Sequence, residues 1–316
     1  MYYSNILLLV LVLVLNYNFC NKIEKYQFFS NYKINQNRYL SRMNVKHYNI
    51  LIDIDDKCDI SDIHKRNLNV VDDIKPDSRI LVMSSNIDKI IEMIPEQYYK
   101  NIIGIDYNII NYDGIINFKL DELIFPSLEY LYILNDKDFM RNMTASNLNP
   151  NLLNNIQLNN LPKTLKHLFI YFLIKSVDIT IQLDNLPPYL ESLELSSYTF
   201  NQPINMLPIT LKSLILNTFQ FNQPLYNLPP NLENLCFGKN MFLIGMKFNQ
   251  SLDDIPDTIK ELYIPILFNH ELKKLPKMIE QITLNNCYIY KTELQKIQDK
   301  INSERNDNNK LIFNFI

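Results

Sequence analysis

The sequence predicts an α/β solenoid: a parallel β-sheet on one face of a right-handed coil, a short helical N-terminal region and a C-terminal helical cap. Three observations lead there. A ten-residue motif recurs six times between Leu161 and Leu284. Each copy ends in alternating apolar and other residues, the period-2 signature of a short half-buried strand. A second motif, Phe-Asn-Gln-Pro, recurs between the copies.

The 316 residues suffice for one large domain or two small ones. Lys+Arg is 31 and Asp+Glu is 34, a net charge of -3. A dedicated nucleic-acid binder needs a basic surface to displace counterions, so nucleic acid is excluded as the expected partner. Hydrophobic residues at 47%, with 20 Tyr and 17 Phe, indicate a packed protein. Asn occurs 43 times and Ala once, at Ala145, a bias expected of an AT-rich genome. Cys20, Cys58, Cys236 and Cys287 are scattered, with no Cys-x-x-Cys pair and no His at ligand spacing. They read as reduced thiols rather than a zinc site or disulfide scaffold, which favours the cytoplasm.

In chain order, residues 1–45 form an apolar helical segment. Ile6–Leu15 is uninterrupted by polar residues but shorter than the roughly 20 that span a bilayer, so a membrane is not the expected partner. Two readings stay open: the apolar core of a signal peptide or anchor, and a buried first helix. Met1–Asn5 carries no Lys or Arg, and Asn16–Cys20 offers no small-residue cleavage site; both favour the helix. The sequons at Asn142 and Asn249 carry little weight in so Asn-rich a chain. Residues 46–120 read as irregular, degenerate repeats. Within them Asp53, Asp55 and Asp56 form an acidic strand end. No phosphate-cradling loop follows, so a solvated turn is expected over a cation site.

Residues 121–284 are the repeat region. Its six clear copies are Leu161–Ile170, Leu186–Leu195, Leu207–Leu216, Leu228–Phe237, Ile255–Ile264 and Leu275–Leu284. Each reads Leu-Pro-x-x-Leu-x-x-Leu-x-Leu, with Ile or Phe at some apolar positions. Pro precedes the strand, where its missing N–H breaks no ladder bond. Successive Pro residues are 25, 21, 21, 27 and 20 apart. A coil of this length cannot bury a core alone, but stacked coils bury Leu on Leu and pair every strand. Phe200-Asn201-Gln202-Pro203 and Phe221-Asn222-Gln223-Pro224 recur in weaker form at Phe248-Asn249-Gln250 and Phe268-Asn269-His270. These Phe residues should form an internal spine, and the Asn residues a ladder that satisfies turn backbone groups.

On these motifs the chain resembles the FNIP repeat family, which is similar to leucine-rich repeats and is known from slime moulds and giant viruses of amoebae. The resemblance covers residues 161–284 and implies an interaction scaffold without catalytic residues. Some members carry an F-box that docks on a ubiquitin-ligase adaptor. Residues 1–45 could supply a degenerate one, although the opening Leu-Pro is missing. The resemblance thus leaves three functions open: a protein-interaction scaffold, a ubiquitin-ligase substrate receptor, and a secreted recognition module.

The residue after the first strand-side Leu or Ile alternates in charge: Lys166, Glu191, Lys212, Glu233, Lys260, Glu280. Stacked about 4.8 Å apart, alternating charges pair and like charges repel, so all six coils are expected in strict register. Irregular copies precede them at Phe125–Ile133, at Asn149–Leu158 and, more weakly, at Ile94–Ile105. The longest coil inserts Gly238–Lys247, whose apolar core is Met241–Ile244. It is expected to fold over the coil edge, with a partner contact as the alternative. Residues 285–316 read as the cap. Thr292 and Gln295 have capping-box spacing, Leu294, Ile297 and Ile301 share a helical face, 302–310 is polar and mobile, and Leu311–Ile316 forms a last strand.

No nucleotide-binding, metalloprotease or nucleophile-elbow motif occurs. The protein is therefore expected to be no enzyme and to use no cofactor or metal. The expected partner is another protein, met by the outward residues of the strands: His167, Phe169, Ser192, Glu194, Ser213, Ile215, Asn234, Cys236, Glu261, Tyr263, Gln281 and Thr283.

Overall fold

The computed structural model describes residues 50–54, 76–84, 87–108, 116–117, 120, 123–134, 155–158, 161–172, 180–238, 246–285, 288–306 and 310–315. They lie in one compact unit spanning 49–316. Residues 1–45, Asp55, Asp56, Asn142 and Met241–Ile244, with the expectations placed on them, fall outside the described residues.

In chain order the strands are β1 (Ile50–Ile54), β2 (Ile80–Ser84), β3 (Ile102–Asn108), β4 (Ile116–Asn117), β5 (Tyr130–Leu134), β6 (Asn155–Gln157), β7 (His167–Phe172), β8 (Thr180–Ile181), β9 (Ser192–Ser197), β10 (Ser213–Thr218), β11 (Asn234–Phe237), β12 (Glu261–Tyr263), β13 (Gln281–Leu284) and β14 (Ile312–Phe315). Eleven form one sheet in the order β1-β2-β3-β5-β7-β9-β10-β11-β12-β13-β14. Every pairing in it is parallel. The remaining three form a second sheet, β4-β6-β8. Helix α1 (Ile87–Met93) and a 3-10 turn (Glu96–Asn101) lie between β2 and β3; helix α2 (Lys291–Glu304) lies between β13 and β14.

From β5 to β14 the register is strict. Leu131, Leu168, Leu193, Leu214, Leu235, Leu262, Ile282 and Phe313 are successive lateral partners. The unequal intervals between Pro residues are absorbed outside the strands. Before each of the six repeat strands a tight turn closes on the Pro of the motif: Leu165, Leu190, Leu211, Leu232, Ile259 and Ile279 donate their N–H to the carbonyl three residues back. The Pro thus serves as an acceptor, and its missing donor costs nothing. Thr164, Thr210 and Thr258 tie these turns to the preceding coil by Oγ1 donation to its carbonyls.

The expected Phe spine is present. Phe200, Phe221, Phe248 and Phe268 stack at 6.0, 5.8 and 6.4 Å between ring centroids, and Tyr288 continues the stack at 6.2 Å. The Asn ladder is present too. Asn201, Asn222 and Asn249 each accept, through Oδ1, the backbone N–H of the equivalent Asn in the next coil at 2.9, 2.8 and 3.0 Å. Gln223 and Gln250 donate their side-chain amides to the carbonyls of Asn201 and Asn222.

Three expectations need correction. The copy at Asn149–Leu158 adds no strand to the main sheet: β5 pairs directly with β7, leaving no lateral place between them, and β6 (Asn155–Gln157) lies in the second sheet. Thr292 does not cap α2. The helix starts at Lys291 after Tyr290, with no side-chain capping bond. Asn302 is helical rather than mobile; its amide donates to Leu311 O and its Oδ1 accepts the Leu311 N–H at 2.7 Å. The strand expected beyond it is β14.

Candidate functional site

Alternation along each strand sends one set of side chains into the core and the other outward. The inward set is closed: Leu193, Leu195, Leu214, Leu216, Leu235 and Phe237 have no exposed surface. The outward set makes two files across the sheet. One runs Tyr130, His167, Ser192, Ser213, Asn234, Glu261, Gln281, Ile312; the other runs Tyr132, Phe169, Glu194, Ile215, Cys236, Tyr263, Thr283, Asn314. All twelve residues selected from the sequence therefore share one face.

Ten of them are half-buried or exposed. Cys236 and Thr283 are not, at 8% exposure each. Cys236 sits between Ile215 and Tyr263, and Thr283 between Tyr263 and Asn314. A short side chain between taller neighbours on adjacent strands is shaded from solvent whichever way its Cβ points.

The face is aromatic at one end. Tyr130 stacks on His167 at 4.5 Å and Tyr132 on Phe169 at 4.3 Å, both nearly parallel. Both Tyr residues belong to an irregular copy, so the residue-by-residue selection missed them although the same alternation marks them. Burial lowers the His167 pKa, keeping the ring uncharged, and burial with the nearby carboxylates raises that of Tyr132.

Farther along, Glu194 accepts a hydrogen bond from Asn217 Nδ2 at 3.0 Å, and the same amide reaches Ser196 Oγ at 3.2 Å. Asn217 and Ser196 are each 1% exposed. A buried amide thus holds the carboxylate in place.

Below the face lies the charged row. Lys166 pairs with Glu129 at 3.1 Å, Lys212 with Glu191 at 2.8 Å and Lys260 with Glu233 at 2.9 Å. Each Lys reaches back to the preceding coil. Arg79 also meets Glu129, at 3.1 Å, beside an open groove of about 500 Å³ lined by Lys100, Lys163 and Tyr189. An internal carboxylate thus already answers two of the groove's cations.

Among the described residues no group of three His, Cys, Asp or Glu side chains could hold a metal ion. No described helix is long and apolar enough to cross a membrane. No match to the sequence is found among curated proteins. The FNIP Repeat family model matches residues 180–219, the span from β8 through β9 and β10. Two of the stacked, register-locked coils, with the first Phe-Asn-Gln-Pro between them, are FNIP repeat sequence, and this is an FNIP repeat-containing protein.

Proposed function

We propose that the protein is a non-enzymatic scaffold that binds another protein along the outward face of its main sheet, in the cytoplasm. The observation that supports this most is the composition of that face. The half-buried rings of Tyr130, His167 and Phe169, small hydroxyls, an amide-held carboxylate and the apolar Ile215 lie at fixed lateral spacing on an over-determined backbone. Rigid aromatic anchors beside adaptable polar groups are what protein interfaces use, and little ordering entropy is lost when the scaffold is already rigid.

The test is a selection of displayed random peptides on the folded protein, followed by titration of the selected peptides. Ile215→Arg, in the middle of the face, should weaken them at least about tenfold, or 1.4 kcal/mol. Tyr226→Arg, on an exposed loop away from the strands, should leave them unchanged. Peptides indifferent to Ile215→Arg, with the variant still folded, would place the binding surface elsewhere.

A further inference from the structure

Strand β14 carries features that the scaffold function does not use. It is the edge of the eleven-stranded sheet and pairs only with β13 among the described residues. Ile312 donates its N–H to Glu280 O at 2.8 Å. Along a parallel ladder the amide groups of alternate residues face the same neighbour. The amides of Ile312 and Asn314 therefore face β13, and those of Phe313 and Phe315 face the open side.

The inward positions tell the same story. Leu262, Leu284 and Ile282 are at most 2% exposed. Phe313 and Phe315, at the equivalent positions of β14, are only half-buried, and among the described residues no further coil lies over them. Edges are usually blunted by charge, Pro or a bulge; Ile312–Phe315 contains no charged residue and no Pro, and its pairing is regular. Lys291 Nζ lies 4.0 Å from the Phe315 ring centroid. Finally, Ile312-Phe313-Asn314-Phe315-Ile316 reads identically in both directions.

We propose that two copies of the chain associate through β14, antiparallel, about a two-fold axis through Asn314. In that register Phe313 lies opposite Phe315 of the partner subunit, and the two residues exchange both of their backbone hydrogen bonds. All four open amide pairs are then satisfied. Asn314 meets its own copy as the close, non-hydrogen-bonded pair at the centre. The half-covered rings become cross-strand aromatic pairs, which stabilise antiparallel strands. An isologous contact of this kind closes on itself and ends at a dimer. A four-residue edge covers less than the roughly 800 Å² per partner of a standard interface, so the dimer is reversible and concentration-dependent.

The test is sedimentation velocity of the full chain across the micromolar range. The average mass should rise from 37.5 kDa toward twice that value. Asn314→Asp and Asn314→Lys should each remain monomeric, because like charges directly opposite repel. An equimolar mixture of the two should dimerise again. Melting curves check that each variant folds. Should either variant fail to fold, Asn314→Cys provides an independent readout: copper-catalysed air oxidation should yield a disulfide-linked dimer through position 314, which Ile312→Cys should not. A protein that stays monomeric throughout, a dimer that survives both charge variants, or equal cross-linking at positions 314 and 312 overturns the proposal.

Discussion

Asn222 Oδ1 accepts the backbone N–H of Asn249 at 2.8 Å, across 27 residues of sequence and one step of the solenoid. It also accepts the Gln250 side-chain amide at 3.1 Å, while Asn201 Oδ1 holds the N–H of Asn222 itself at 2.9 Å. The ladder therefore uses the side-chain oxygen of Asn, and uses it twice. Asn222→Ala strands a part-buried backbone donor and a side-chain amide. The cost should be about 1–3 kcal/mol, since an unsatisfied donor loses its desolvation energy outright. Asn222→Asp keeps both acceptor functions and should cost markedly less. Urea unfolding of the two variants checks the order; equal losses would show that the Nδ2 group matters more than the oxygen.

Phe221 lies between Phe200 and Phe248 and has no exposed surface. Phe221→Ala removes a ring from the middle of the spine, and the register-locked coils on either side cannot collapse into the space. A loss of about 3–5 kcal/mol is expected. In a solenoid, stability is close to a sum over coils and their interfaces. The loss should therefore appear first as faster amide exchange in β9 and β10, leaving β2 and β3 less affected. Uniform acceleration would indicate a single cooperative unit instead.

Phe221 and Asn222 were legible in the sequence because their roles are strictly periodic: a residue that does the same job in each coil repeats at the same offset. Residues whose role depends on lateral neighbours were not. Cys236 has the right parity for the outer face, but parity does not report how tall Ile215 and Tyr263 stand beside it. Asn149–Leu158 has the letters of a strand motif, yet a short apolar run does not say which side of a coil it occupies; only the direct pairing of β5 with β7 decides that. Thr292 has the capping-box spacing, but the chain turns into α2 two residues earlier, with Tyr290 at the cap position. The candidate face was legible as a face. Its aromatic end was not, because Tyr130 and Tyr132 belong to a copy shortened by one residue.

The charged row is polar on one side of each pair. Lys260 pairs with Glu233 at 2.9 Å, while Glu280, its other neighbour, forms no ion pair among the described residues. Exposed pairs of this kind contribute about 0.2–1 kcal/mol, so Lys212→Ala should change stability little. Lys212→Glu is different: it places a third carboxylate in line with Glu191 and Glu233 and should cost more than Lys212→Ala. The excess should shrink at high salt, which screens exposed charges. The hydrogen bond from Lys212 lowers the Glu191 pKa below its ordinary value. This contribution is present above the ordinary carboxylate pKa and lost as pH falls through the lowered one. Denaturation of the three proteins at low and high salt checks the sign; an excess independent of salt would point to packing rather than charge.

His167 gives the face a pH dependence of its own. Burial lowers its pKa below 6.5, outweighing Glu191 and Glu129, which raise it, while Lys166 and Lys212 push it further down. The folded protein thus prefers the neutral ring, held flat against Tyr130. Between the lowered value and 6.5 the unfolded chain binds more protons than the folded one, so stability falls as pH falls through that window. Above 6.5 the contribution is complete, and below the folded value it no longer changes. His167→Phe should retain the stack and remove this component. Urea midpoints measured from about pH 8 to about pH 5, spanning the histidine range, should decline more steeply for the wild type than for His167→Phe. The Glu191 component acts at lower pH, outside the range compared. Parallel declines would mean that the imidazole on Tyr130 titrates as it does in the unfolded chain, and that this end of the face is open to water.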